Sequence, residues 1–276
     1  MTNNMLLSAL VLTKNSENTI KNCIESLKFA DEILILDDFS TDKTEEVIKE
    51  YQFLDSYSLP YKKGTFPQLK FFQQKLNGDF SAQRNFILRK AKGKWFLFID
   101  SDEVVDKNLR KEIIKVMQAE NNPYEAFYLK RQDFFLGKKL KFGETANNKF
   151  IRFAKIKSPW VGKVHEIWNV QKPGVKIGEL KNPIIHNQNL TITDFLNRIN
   201  FYSNLRAEWL YEQKVKEATL KTFFNPVGKF LNNYFLKLGI LDGFEGFCLS
   251  FLMSLHSLLV RIKLQILWLQ HENRQI

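Results

Sequence analysis

Blocks of consecutive apolar residues, separated by stretches with helical spacing, fill the first 120 positions. Residues 6–12 make the first block, and Ile20, Cys23, Ile24 and Leu27 then recur at i, i+3, i+4, i+7, the spacing of a helix with one buried face. Residues 33–36 form a second block. The helix after it opens at Asp42 and Glu45 and turns Val47, Ile48 and Tyr51 inward. Residues 52–78 mix aromatics with Pro60, Gly64, Pro67 and Gly78 and predict a short strand and a loop. Residues 79–92 predict a helix with Ala82, Phe86, Ile87 and Ala91 inward, closed by Gly93 as a C-cap. Trp95-Phe96-Leu97-Phe98-Ile99 reads as a strand buried on both faces, and Leu109, Ile113, Val116 and Met117 mark a helix stopped near Pro123. Strand and helix in strict alternation predict a parallel sheet.

From residue 124 to about 185 the pattern changes. Short β-like runs at 126–129, 149–153 and 184–185 lie between glycines and charged turns, predicting an antiparallel or mixed sheet that completes the first. Residues 194–216 predict one long helix. In the segment 226–269, Ser250, Ser254, Ser257, Arg261 and Gln265 fall on one narrow stripe, while Phe244, Phe247, Phe251, Leu255, Leu258 and Ile262 cover the rest. The uncharged run 246–260 is shorter than the ~18 residues of a spanning helix. Lys221, Lys229, Lys237, Arg261 and Lys263 flank it and Trp268 lies near its end, which suits a helix lying in a membrane interface and attracted to anionic lipid. A helical hairpin docked on the catalytic domain or on a second subunit is the alternative. No repeat or low-complexity linker appears, so no boundary is placed before about residue 190.

Composition narrows the class. The chain has 276 residues, 44% hydrophobic and 14% aromatic with 25 Phe, ample for a core and unlike a disordered protein. A net charge of +11 permits nucleic acid, an anionic membrane or phosphorylated substrates. The basic residues are scattered and no nucleic-acid module is visible, so no nucleic-acid partner is expected. The two cysteines, Cys23 and Cys248, are far apart, which predicts no disulfide framework or zinc site and a reducing cytosol. The apolar run at 5–12 has no basic residue before it and no small-residue cleavage site after it, so it is expected to be a strand and not a signal peptide.

The candidate chemistry sits at Asp100 and Asp102, directly after the 95–99 strand. In open α/β sheets ligands bind outside the carboxyl ends of the strands, and paired carboxylates there suit a divalent cation that bridges phosphate oxygens. A strand ending in a solvated acidic turn is the alternative.

Four ordered motifs carry a resemblance: the strand ending at Thr13-Lys14-Asn15, the segment Ile33-Leu34-Ile35-Leu36-Asp37-Asp38-Phe39-Ser40-Thr41-Asp42, then Ala82-Gln83-Arg84-Asn85, then Phe98-Ile99-Asp100-Ser101-Asp102-Glu103. Together they resemble family 2 glycosyltransferases of the GT-A fold, most of all the small bacterial enzymes of lipopolysaccharide-core and cell-surface glycan assembly. The resemblance covers residues 5–120 and continues more loosely through Val164-His165-Glu166, Ile185-His186 and Asp242-Gly243-Phe244.

It implies an α/β, Rossmann-like GT-A fold with a mostly parallel sheet flanked by helices and a C-terminal helical extension. Residues 1–190 would be catalytic, with a nucleotide-sugar half (1–120) and an acceptor half (121–190). Residues 191–276 would be helical and membrane-interfacial or dimer-forming. The implied activity is inverting transfer from a nucleotide-sugar, a UDP-sugar, to a lipopolysaccharide-core or other cell-envelope glycan or glycolipid. The implied setting is the cytoplasmic face of the cell membrane, with a possible homo-oligomer. By resemblance Asp102 would ligate a divalent cation, Mg²⁺ or Mn²⁺, and Asp100 would bind ribose or the metal, with Ser101 between them in the donor site. Asp38 would accept from the uracil imide, with Asp37 the weaker candidate. Thr13 and Asn15 would cradle the nucleotide. Arg84 and Asn85 begin the helix beneath it, where Arg84 forks onto phosphate or is a solvated helix-face residue. Glu166 is the candidate general base or an exposed turn residue. His165 beside it orients Glu166 or binds phosphate, and Asp133 is the reserve base. His186 would reach the diphosphate or metal, or is a hydrogen-bonded structural residue. Phe39 departs from the family, which usually has Gly there.

Three other readings compete. A GT-A-like nucleotidyltransferase needs a Gly-rich phosphate loop after the first strand, and Thr13-Lys14-Asn15-Ser16-Glu17 has no glycine. A catalytically inactive GT-A-like binding protein and a basic nucleic-acid-binding protein are the others.

Overall fold

The computed structural model describes residues 6–56, 67–145, 148–163, 166–187, 191–216 and 219–273. The chain forms two compact units, Met1–Arg131 with Lys149–Asn187, and Gln132–Asn148 with Gln188–Ile276.

In the first unit β1 (Leu7–Thr13), α1 (Ile20–Ser26), β2 (Glu32–Asp37), α2 (Thr44–Ser56), β3 (Gln68–Gln73), α3 (Phe80–Lys90) and β4 (Trp95–Asp100) alternate. They are followed by β5 (Glu103–Val104), α4 (Lys107–Gln118) and β6 (Ala126–Phe135). The remaining strands are β7 (Lys138–Lys139), β8 (Lys149–Ala154), β9 (Trp160–Val161), β10 (Ile167–Trp168), β11 (Ile177–Glu179) and β12 (Ile184–Asn187). The sheet runs β3-β2-β1-β4-β8-β6-β12-β5. Its first four strands are parallel, with Val11 facing Ile35 on one side and Ile99 on the other. β8 joins antiparallel to β4, and β5 pairs antiparallel with β12.

Alternate residues of the parallel strands feed two cores. Leu7, Ala9, Val11, Ile33, Ile35, Leu97 and Ile99 pack under α1, α2 and α4. Leu10, Leu12, Leu34, Leu36, Phe96 and Phe98 pack against α3 and the β9–β10 hairpin, where Trp160 and Trp168 stack with ring centroids 5.5 Å apart. Burial on both faces explains why these strands read as unbroken apolar runs. The chain steps outward from β1 to β3 and returns to the other flank of β1 as β4. This switch point between β1 and β4 is where a doubly wound sheet takes its ligand.

Two local expectations change. α3 stops at Lys90, and Gly93 is not its left-handed cap. A Cβ at Gly93 would stand 2.7 Å from Ser8 N and Oγ, and Gly93 N donates to Ser8 Oγ at 2.7 Å, so close approach to β1 demands the glycine. β6 runs to Phe135, well past residue 129. Lys130, Arg131 and Gln132 interrupt its apolar pattern while backbone pairing to β8 continues through Lys130.

In the second unit the end of β6 and β7 form a hairpin beside α5 (Ile192–Glu212), α6 (Thr219–Leu231) and α7 (Gly243–Asn273), with π-helical and 3-10 turns at Asn232–Leu236 and Gly239–Asp242. Thr191 and Asp194 cap α5 reciprocally. The core gathers Phe135, Leu140, Ile199, Leu249 and Leu252. Asp242 is buried, and its carboxylate accepts from Lys141 N at 3.1 Å and Phe142 N at 2.8 Å, so Asp242-Gly243-Phe244 pins the hairpin within this unit. Gly239–His271 is, by length and composition, long and apolar enough to cross a membrane, although Arg261 and Lys263 end its uncharged run at Val260. A Cβ at Gly246 would sit 1.9 Å from the main-chain oxygen of Gly239. Gly246→Ala is therefore expected to cost about 1–3 kcal/mol or more in urea unfolding, whereas Gly228→Ala, with open space around it, leaves the midpoint within about 0.5 kcal/mol.

Candidate functional site

Three strand ends build the site in the first unit. After β1 the backbone turns at Asn15, whose φ is +46°. Asn15 N donates to Ser40 Oγ at 2.8 Å and its Oδ1 accepts from Thr41 N at 2.8 Å, so this residue stitches the first loop to the second. Thr13 main-chain O accepts from Asp38 N at 3.0 Å, while its buried Oγ1 has no hydrogen-bond partner. Asp37 is wholly buried and accepts from Ser40 N at 2.9 Å, Ser40 Oγ at 2.5 Å and Gln73 Nε2 at 3.2 Å, an Asx-type turn. Phe39 next in line has φ +50° and an exposed ring. This left-handed conformation is the one glycine adopts without strain, so a phenylalanine here carries a backbone cost. Asp38 Oδ1 accepts from Leu76 N at 2.8 Å, its Oδ2 lies 3.5 Å from Lys14 Nζ, and Lys14 also donates to Asp38 main-chain O. Lys14, to which the sequence assigned nothing, thus anchors the loop that carries Asp38.

The tip of β4 is tied to this platform by Ser101, whose Oγ lies 2.7 Å from Ser16 Oγ. Asp102 and His186 face each other with Oδ1 and Nε2 3.5 Å apart. The β5–β12 pairing brings them together, setting His186 opposite Glu103. Asp100 faces elsewhere. Its Oδ1 accepts from Arg84 Nη2 and its Oδ2 from Arg152 Nη2, both at 3.1 Å. Arg84 also donates from Nε to Glu166 Oε1 at 2.8 Å, with its guanidinium 4.7 Å from the Trp160 ring centre.

Arg84 is not a solvated residue. It is buried and joins two carboxylates, and Asp79 as N-cap of α3 and the Trp160 face fix it there. Asn85 grips the backbone of Trp160 from both amide atoms, donating to its O at 2.9 Å and accepting from its N at 2.8 Å. Glu166 is half-buried and not the exposed turn residue of the alternative. Val164 and His165 lie outside the described residues. Asp133 belongs to the second unit, buried on β6, and its main-chain O accepts from Leu140 N at 3.0 Å.

The electrostatics follow from these contacts. Burial pushes the Asp100 carboxyl up, but the Arg152 and Arg84 guanidiniums outweigh it and hold Asp100 well below the usual carboxylate range. Burial and the neighbouring Asp100 charge raise Glu103, whose Oε2 accepts from Asp100 N at 2.9 Å. Arg152 and Glu103 are the site residues that sequence reasoning missed. Glu103 stood inside a quoted motif without a role, and Arg152 stands in an apolar run with no local signal.

A cation site made of Asp100, Asp102 and His186 together does not match this geometry, because both oxygens of Asp100 are engaged by arginines. Among the described residues no group of three His, Cys, Asp or Glu side chains is placed to hold a metal. Asp102 and His186 alone supply an oxygen and a nitrogen donor side by side, and that pair fits a divalent ion completing its shell with ligand oxygens and water.

Comparison with known proteins gives the class and then the family. The mannosyltransferase PcManGT of Pyrobaculum calidifontis, solved with GDP-Man and Mn²⁺, superposes with a TM-score of 0.53 at 11% sequence identity, covering 96% of this chain and 88% of its own. The architecture is therefore that of a GT-A glycosyltransferase. The profile of glycosyl transferase family 2 matches residues 8–168, more than half of the chain. A glycosyltransferase of Rickettsia bellii is 30% identical over 275 residues, 96% of this chain and 87% of the relative. The lipopolysaccharide core biosynthesis glycosyltransferase LpsC of Rhizobium meliloti is 28% identical over 236 residues, 83% and 80%. The chain belongs to glycosyltransferase family 2.

Proposed function

We propose that the protein is an inverting transferase that moves a sugar from a UDP-sugar to a lipopolysaccharide-core or related envelope glycan acceptor at the inner face of the cell membrane. The observation that carries this reading is the Asp102–His186 pair at the tip of the central strand, 3.5 Å apart and joined through Ser101 and Ser16 to the first strand–helix loop. The relation to LpsC supports the acceptor class, and the Mn²⁺ in PcManGT supports a divalent ion at this position.

Asp102 and His186 would hold the ion, Mg²⁺ or Mn²⁺, whose contribution is to neutralise charge on the leaving diphosphate. Asp38, Thr13 and Asn15 shape the nucleoside side: Asp38 presents a carboxylate to a base imide, and the orphan Thr13 Oγ1 is a buried hydroxyl in want of a partner. Glu166 acts as general base. Arg84 takes its Oε1, which leaves Oε2 to receive the acceptor hydroxyl's proton during in-line attack. Glu166→Gln keeps an oxygen for Arg84 Nε but cannot take a proton, so kcat is expected to fall about 10²–10⁴-fold with donor KM nearly unchanged. A residual rate above a tenth of wild type would remove Glu166 from this role.

A second reading, a donor-binding protein without turnover, is favoured by the engagement of Asp100 with two arginines. A thermal-shift and hydrolysis screen across UDP-, GDP- and CMP-sugars with and without Mn²⁺ separates the two. A metal-dependent shift with slow hydrolysis of a UDP-sugar supports transfer, a shift without hydrolysis supports binding alone, and no shift with any donor overturns both.

A further inference from the structure

Between α6 and α7 the usual burial is reversed. On α7 the stripe of Ser254, Ser257, Arg261 and Gln265 does not face water. Ser254 Oγ donates to Pro226 O at 2.6 Å, Gln265 Nε2 donates to Thr222 Oγ1 at 2.8 Å, and the Asn225 amide oxygen, turned towards Arg261, accepts from its guanidinium. Arg261 Nη1 also donates to Ser257 Oγ at 2.6 Å. The polar face of α6 is thus consumed by the polar stripe of α7, and Thr222 is buried there. The apolar face of α6 points outward. Leu220, Phe223, Phe224, Val227 and Leu231, at helical spacing, are all exposed, Phe223 by 63% and Phe224 by 69%. The turn after α6 extends the surface with Leu236, 79% exposed, and Leu241, and α7 opens with Phe244, 69% exposed. In water such an arrangement exposes the groups with most to gain from burial and hides those that water would solvate, whereas a bilayer interface reverses both preferences.

Charge selects the occupant. Residues 219–241 contain Lys221, Lys229 and Lys237 and no acidic residue. Lys221 and Lys237 are exposed beside the apolar face, while Lys229 pairs with Glu144 at 3.0 Å. We infer that α6 and the turn leading into α7 form a monotopic insertion surface for an anionic lipid bilayer, with Phe223 and Phe224 entering the acyl boundary and Lys221 and Lys237 meeting headgroup phosphates. The stripe is the seam between two helices. This inference rests on the peripheral-membrane part of the proposed function and assigns it to a surface.

The experiment is sedimentation of the full chain with vesicles of phosphatidylglycerol and phosphatidylethanolamine, against vesicles of phosphatidylcholine. Wild type is expected to partition onto the anionic vesicles about tenfold more strongly than onto the neutral ones. Phe223→Ser with Phe224→Ser is expected to lower that partitioning about tenfold or more, and Lys221→Glu with Lys237→Glu to remove the preference for anionic lipid. Hydrolysis of a soluble UDP-sugar, which needs no membrane, is expected to match wild type in both variants and reports that they are folded. Wild type remaining in the supernatant overturns the membrane reading as a whole. Wild-type partitioning by the phenylalanine variant overturns only the assignment to α6. A wild-type dimer in light scattering that becomes a monomer in this variant makes a second copy of the chain the occupant and likewise overturns the assignment.

Discussion

Arg84→Ala is expected to destabilise the protein by about 3–5 kcal/mol and to abolish turnover with it. The guanidinium is buried and bonded to Asp100 through Nη2 and to Glu166 through Nε. Truncation leaves one carboxylate with Arg152 alone and strips the other of its charged partner. A lysine cannot reproduce the fork, because its ammonium is a point donor without a planar pair of N–H groups. Arg84→Lys should therefore recover only part of the loss. The pH dependence gives an independent check. Asp100 is depressed in the folded state, so its contribution is fully present above the unfolded carboxylate value of about 3.9 and is lost as pH falls through the folded value. With Arg84 gone the depression shrinks, and Asp100 of the variant takes up its proton at higher pH than wild type. The stability gap between the two, read by urea unfolding at pH 7 and pH 3, should be widest at neutral pH and narrow in acid. A gap below about 1 kcal/mol at pH 7 would show that the clamp is not what holds the tip of β4.

The clamp also marks where reading the chain residue by residue stops. The parallel core was legible because strands buried on both faces leave unbroken apolar runs, as at Trp95 to Ile99, and because helices with one buried face repeat every three or four positions. Asp102 and His186 were singled out for a related reason, each near the end of an apolar run, where such sheets bind ligands, and the structure sets them 3.5 Å apart. Arg152 was not. It sits in β8 between Ile151 and Phe153, its partner Asp100 lies on β4, and an arginine among apolar residues gives no local sign of the carboxylate it will meet. The arginine contacts of Asp100 were hidden for the same cause, since they come from α3 and β8. Periodicity failed differently on α7. It located the stripe of serines correctly but could not say which way the stripe faces, because angular spacing separates two faces of a helix without naming what each one touches. The Thr222, Asn225 and Pro226 face of α6 decided that, and nothing in the repeat on α7 encodes it.

The two aspartates at the β4 tip are expected to separate function from stability. Asp102 lies 3.5 Å from His186, and Asn keeps the size and one oxygen of the carboxylate, so Asp102→Asn should leave stability within about 1 kcal/mol of wild type. If Asp102 holds the cation, the same change removes the Mn²⁺-dependent thermal shift expected with a UDP-sugar. Loss of several kcal/mol of charge stabilisation at the leaving diphosphate then lowers kcat by about 10²–10⁴-fold. Asp100→Asn is expected to do the opposite in kind. A neutral amide has one oxygen where the carboxylate offers two, so Arg84 and Arg152 lose their shared counter-charge and one of them loses its acceptor. That change should cost several kcal/mol, on the order of a broken buried ion pair, while the Mn²⁺ shift persists in whatever fraction stays folded. His186→Ala should weaken the shift, because the imidazole is one of the two donors placed side by side. Should Asp100→Asn instead abolish the Mn²⁺ shift at unchanged stability, Asp100 must leave its arginines when donor and ion bind, and the three-residue cation site of the sequence analysis would be restored as the liganded arrangement.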